Sequence, residues 1–94
     1  MKAWELLEQK GWCQGTYARN WVGKKVDPHH KSACRFCLLG ALDKIYDGTS
    51  IAMREAKQAL YRHAIPHNIG LAEWNDTKGR TKEEVIAALK AADV

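Results

Sequence analysis

The side chains best equipped for chemistry in this chain are three cysteines and four histidines. Cys34-Arg35-Phe36-Cys37 is a Cys-x2-Cys unit, a common source of two of the four ligands of tetrahedral zinc. The best set of four is Cys13, His30, Cys34 and Cys37, with His29 adjacent and His63 and His67 farther along. The second ligand pair has irregular spacing, because the chain has neither a second Cys-x2-Cys nor a His-x3-His. Cys34 and Cys37 also fall three residues apart in an apolar-periodic stretch, where thiols pack as small hydrophobes. That reading makes them core residues, and no cofactor is assigned.

Cys13 offers a second chemistry. A thiol near a glycine, with a histidine as base and Asn75-Asp76 to orient it, has the parts of a nucleophilic site. A reactive thiolate needs an electropositive, accessible setting, whereas Cys13 follows the large ring of Trp12. Other catalytic patterns are missing. Gly11, Gly15 and Gly23 lack the spacing and the strand-then-helix context of a phosphate loop, and neither His-Glu-x-x-His nor an EF-hand loop is present. Glu83 and Glu84 open a helix, where carboxylates complement the helix dipole. The chain is read as non-enzymatic.

A third chemistry is contact. Arg19, Lys24, Lys25, Lys31 and Arg35 are interleaved with Tyr17, Trp21 and Phe36. Cations bind phosphates and aromatic rings stack on unpaired bases; the same residue types also dominate protein interfaces. A merely solvated face would carry the same cations. Helix-turn-helix, RNA-recognition and zinc-finger patterns are lacking.

The elements that must position these residues are mostly helical. Ala3, Trp4, Leu6 and Leu7 have helical spacing, and Lys10-Gly11 supplies a stop. From Trp12 to Val26 the period changes. Thr16, Tyr17, Trp21 and Val22 suit strands, Asn20 to Gly23 supplies a turn, and Lys24-Lys25-Val26 is the return, so a short β-hairpin or irregular segment is expected near residues 15–26. Asp27-Pro28 reads as the start of a second helix. Its buried side runs through Ala33, Cys34, Cys37, Leu38, Ala41, Leu42, Ile45 and Tyr46, and Asp47-Gly48 ends it. Thr49 or Ser50 caps a third helix carrying Ile51, Met53, Ala56, Ala59, Leu60 and Ala64, which Pro66 stops. Residues 67–80 read as loop with a short turn at Leu71 to Trp74. Thr81 and Glu84 form a capping box for the last helix, with Val85, Ile86, Leu89 and Ala92 on one stripe. The expected fold class is mainly α: a compact four-helix domain, residues 1–94 forming one unit.

Composition agrees with a single globular domain, at 94 residues, 46% hydrophobic and 28% charged. No apolar run approaches the roughly 18 residues of a membrane span. Glu5 and Glu8 interrupt the stretch where a signal peptide would lie. These features, with the odd cysteine count, place the chain in the cytoplasm and away from membranes. The net charge of +4 is compatible with nucleic acid or with an acidic protein partner.

Several short pieces occur in order along nearly the whole length: Trp12-Cys13-Gln14-Gly15, Ala18-Arg19, Cys37-Leu38-Leu39-Gly40-Ala41-Leu42, Trp74-Asn75-Asp76 and Arg80-Thr81. In their succession the chain resembles a family of small uncharacterised bacterial and phage proteins. The resemblance implies that Cys13 and Cys37 belong to the shared motif, whereas Cys34 and the four histidines do not. It brings no activity with it.

The motif residues Trp12, Cys13, Cys37, Gly40, Trp74, Asn75, Asp76 and Arg80 have two readings. In the structural one, Trp12 and Trp74 cover the helix of Cys37, Gly40 admits a ring or backbone, Asn75-Asp76 hold a turn, and Arg19 and Arg80 brace the loop. In the functional one, Trp12, Cys13, Arg19, Trp74, Asn75 and Asp76 line a shallow pocket. The structural reading is preferred, because loops rich in Trp and Asn need fastening before they can serve as sites. The expected function is that of a non-enzymatic binding protein, an accessory protein of a phage or mobile element acting on a host macromolecular machine. Tyr17, Arg19, Trp21, Lys24 and Lys25 form its expected contact surface for a protein partner. The alternatives are nucleic-acid binding, a small zinc domain on Cys13, His30, Cys34 and Cys37, or a Cys13-dependent enzyme. Oligomeric state is left open.

Overall fold

The computed structural model describes residues 1–47 and 50–94. Among them are five helices: α1 (Ala3–Gln9), α2 (Leu38–Tyr46), α3 (Ile51–His63), α4 (Leu71–Asp76) and α5 (Lys82–Ala91). Two short strands, β1 (Ala18–Arg19) and β2 (Arg35–Phe36), lie between α1 and α2. The fold is therefore mainly helical with one small β element near the N-terminus, as the sequence indicates.

The helices begin where their caps dictate. Ser50 caps α3, its hydroxyl accepting from Met53 N at 3.0 Å. Thr81 caps α5 with both arms of a capping box: Glu84 N donates to Thr81 Oγ1 at 3.1 Å and Thr81 N donates to Glu84 Oε1 at 2.9 Å. Such a cap contributes about 1 kcal/mol. The expected stop at Gly48 and the expected cap at Thr49 lie outside the described residues.

The start of α2 differs from the sequence expectation. The helix begins at Leu38 with Cys37 as its N-cap, and Asp27-Pro28 opens a series of turns. Tertiary pairing overrides the helical periodicity of residues 33–37. β2 pairs antiparallel with β1, Ala18 opposite Phe36 and Arg19 opposite Arg35. On its other side Phe36 N donates to Gly11 O at 3.0 Å, and Cys13 N donates to Phe36 O at 3.1 Å. Bonding on both flanks makes Phe36, 1% exposed, the middle of a three-segment β patch. Cys34 and Cys37 consequently do not share a helix face.

The segment near residues 15–26 does fold back on itself. Arg19 bridges Lys25, Asn20 N donates to Lys24 O at 2.9 Å, and Val26 N donates to Ala18 O at 3.0 Å. Its longer ladder, however, is with the distant residues 35–36, which local pattern could not indicate. The residues read as a loop with a turn at 71–74 form α4, whose one and a half turns bury Leu71, Trp74 and Asn75.

α1 packs on α2 and α5, α3 on α2 and α5, and α4 on α2. Leu7, Leu38, Leu42, Leu60, Val85 and Leu89 are fully buried between them. Each such side chain contributes about 2 kcal/mol of transfer free energy. Among the described residues no helix is long and apolar enough to cross a membrane.

Candidate functional site

The long connection between α1 and α2 is fastened to α4 by one side chain. Asn75 is fully buried, the one buried polar residue among those described. Its Oδ1 accepts from Trp12 Nε1 at 2.7 Å and from Leu38 N at 3.0 Å. Its Nδ2 donates to Cys13 O at 3.2 Å and to Asp76 Oδ1 at 2.8 Å. Four hydrogen bonds saturate the amide and tie three stretches of chain to one point. Gln14 adds Nε2 bonds to Asn75 O (3.0 Å) and Thr77 O (3.3 Å), and Gly15 N donates to Asp76 Oδ1 at 3.1 Å.

Three other motif residues complete the fastening. A Cβ built on Gly40 would fall 1.9 Å from Tyr17 O, so only glycine lets the β patch cross α2 here. Arg80 lies over the Trp74 ring, 3.9 Å from its centroid, and donates to Trp74 O at 2.9 Å. This joins a cation–π contact to a hydrogen bond. Arg19 turns inward: its two terminal nitrogens donate to Gly23 O at 3.0 Å and Gln14 O at 3.1 Å.

The thiols are held as packing groups. Cys13 and Cys37 are buried, while Cys34 is partly exposed. Burial, with the neighbouring Cys37 adding to it, pushes the Cys13 thiol up to about 11, so it carries its proton at neutral pH. Burial also raises the Cys37 thiol against an opposing backbone hydrogen bond from Gly40; Gly40 N donates to its Sγ at 3.2 Å. A nucleophile needs the reverse shift.

Among the described residues one trio of metal-ligating side chains converges, and it is His29, Asp43 and Asp47. The set Cys13, His30, Cys34 and Cys37 is not drawn together in this way, and His30 Nδ1 is engaged by Ser32 N at 3.1 Å. A depression of about 160 Å³ beside the motif is lined by Gly15, Thr16, Tyr17, Cys37, Ala72 and Asp76. Of the six residues expected to line a pocket, Asp76 alone borders it. Small-molecule sites span about 300–1,000 Å³, so this hollow is undersized for one.

Residues 17–36, the arm, keep Ala18 and Phe36 in the core and expose the turn that follows β1. Trp21 is 79% exposed, Val22 59% and Tyr17 46%. Lys24, Lys25, Lys31 and Arg35 are exposed as well, and none of the four is in an ion pair among the described residues. The tip is nonetheless ordered by its own hydrogen bonds. Asn20 Oδ1 accepts from Val22 N at 3.1 Å and Lys24 N at 2.9 Å, and Gly23 has a φ of 89° that suits glycine. Of the expected contact residues, Tyr17, Trp21, Lys24 and Lys25 are therefore presented outward, and Arg19 supports them from beneath. Gln14 and Val22 are not among the site residues that the sequence indicates. Gln14 sits inside the Trp-Cys-Gln-Gly piece, which was the available signal for it. Val22, next to a turn, carried none.

Fold and site together define a small, mainly helical domain whose buried asparagine fastens a connection with an exposed basic turn. The chain belongs to a family of unknown function (DUF6197), whose model matches residues 1–93. No curated protein and no solved structure matches it.

Proposed function

We propose that this chain is a non-enzymatic binding module that docks on a macromolecular partner, in the first place a protein, through the tip of the 17–36 arm. The observation that carries this reading is the apolar pair Trp21 and Val22, exposed at 79% and 59% and followed by Lys24 and Lys25, which are in no ion pair among the described residues. A tryptophan held out in water by an ordered turn has unburied area to give to an interface, and Trp is enriched among interface hot spots. Because the turn is already fixed, less entropy is lost on docking. The raised Cys13 thiol speaks against Cys13 as a nucleophile. The resemblance to bacterial and phage proteins supports a cytoplasmic accessory protein of a phage or mobile element that acts on a host machine.

Affinity capture from host lysate, with and without nuclease, tests the proposal. One host complex recovered in both conditions is the expected result. Recovery of nucleic acid, or of proteins lost on nuclease treatment, would replace the protein partner with nucleic acid. That second reading draws on the same lysines together with Tyr17 and Trp21.

A further inference from the structure

We infer that the partner face is acidic, with apolar residues set among its carboxylates, and that the arm is steered to it by charge; this rests on reading the arm as the docking surface. The charge of the chain is sharply divided. Residues 17–36 hold five of the fifteen basic residues but only one of the eleven acidic residues, Asp27. Ten of each sign remain elsewhere, so the net charge of the arm equals the +4 of the whole chain.

Outside the arm, three of the ten cations pair with carboxylates, Lys2–Asp93 (3.3 Å), Arg80–Glu84 (3.3 Å) and Lys90–Glu8 (3.4 Å), and the charges balance overall. Inside it the charges do not balance, and its one ion pair among the described residues is His29–Asp43 at 3.5 Å, which requires a protonated imidazole. Lys24, Lys25, Lys31 and Arg35 have no carboxylate partner among the described residues. A carboxylate-rich face complements them and speeds encounter in a salt-dependent way.

The apolar tip decides between the two kinds of polyanion. Trp21 could stack on a base, but Val22 has no flat face to extend a stack, and an aliphatic side chain is covered most fully by other aliphatic side chains. An acidic protein segment carrying aliphatic side chains satisfies both the lysines and the tip. Such a segment presents the two chemistries together, as mixed apolar cores and charged rims do at protein interfaces.

Three labelled probes of equal formal charge distinguish the possibilities: a peptide alternating Glu with Leu, a peptide alternating Glu with Ser, and single-stranded oligodeoxythymidine. Fluorescence anisotropy with the full chain is read between about 50 and about 300 mM NaCl. The Glu/Leu peptide should bind about tenfold more tightly than the Glu/Ser peptide, a margin that Trp21→Ala removes. Lys24→Glu with Lys25→Glu should weaken Glu/Leu binding about tenfold or more at low salt. Circular dichroism confirms that both variants are folded, and the milder Lys25→Gln should weaken binding in the same direction. Tighter binding of the oligonucleotide than of the Glu/Leu peptide would overturn the inference, as would Glu/Leu binding indifferent to salt and to the lysines. Failure of all three probes, with a Trp21-dependent partner still captured from lysate, would overturn the acidic chemistry and leave the docking surface standing. Failure of both experiments would remove the docking surface itself.

Discussion

The connection between α1 and α2 is treated differently at its two ends. At its base, Trp12, Cys13, Gln14 and Leu38 converge on Asn75, and every polar atom of that amide is used. At its tip, Trp21 and Val22 face solvent and the lysines beside them have no acidic partner among the described residues. Both ends are ordered by hydrogen bonds, yet only the base is covered by the helices. The difference separates two reasons for a chain to hold tryptophans. Trp12 and Trp74 are fastened to neighbouring chain by Asn75 and Arg80, whereas the Trp21 ring has little of its surface covered.

The comparison breaks most violently at Gly40. Gly40→Ala places a methyl group against the Tyr17 carbonyl and should cost about 3 kcal/mol or more, read as a large fall in the thermal midpoint or outright loss of the native state. Asn75→Leu comes next. It leaves Trp12 Nε1, the Leu38 amide and the Cys13 carbonyl without their partner, at a cost of about 2–4 kcal/mol, measurable by urea denaturation. Near-normal stability of that variant would show that the base is not held from Asn75.

The thiols sharpen the same contrast chemically. With its folded pKa near 11 against an ordinary 9.0, Cys13 keeps its proton in the folded state at pH values where the unfolded chain has lost it. Its contribution therefore favours folding less as pH rises from about 9 towards 11. At neutral pH the three thiols should alkylate unequally in the native protein, with partly exposed Cys34 first and Cys13 and Cys37 slowly; mass spectrometry of iodoacetamide adducts reads the order. Fast Cys13 labelling would reopen the enzymatic alternative. The smallest stability effect belongs to the tip: Trp21→Ala should stay within about 0.5 kcal/mol of the parent, and its helical circular dichroism should be unchanged.

Helix type and most helix ends were legible because their signals are local. The Thr81–Glu84 box, the Ser50 cap and the apolar stripe of α5 depend on residues a few positions apart. The second helix was read too long because residues 33–37 satisfy helical spacing by themselves, and only pairing with residues 11–13 and 18–19 draws Arg35 and Phe36 into strand. α4 was missed as a helix because its stability comes from burying Trp74 and Asn75 under the α1–α2 connection, and it has no side-chain cap. The motif pieces marked the base of the connection, including Gly40, but not that Asn75 is its centre. That requires knowing that Trp12, Cys13 and Leu38 meet, which no local pattern contains. The exposure of Trp21 was open for a related reason: a tryptophan beside a turn reads equally well as core or as surface.

The most direct test of the account compares two baits, the parent chain and the Trp21→Ala/Lys25→Ala variant, in quantitative capture from the same host lysate. The variant should keep its fold and lose the partner recovered by the parent. Undiminished recovery by the variant would contradict the assignment of binding to the tip.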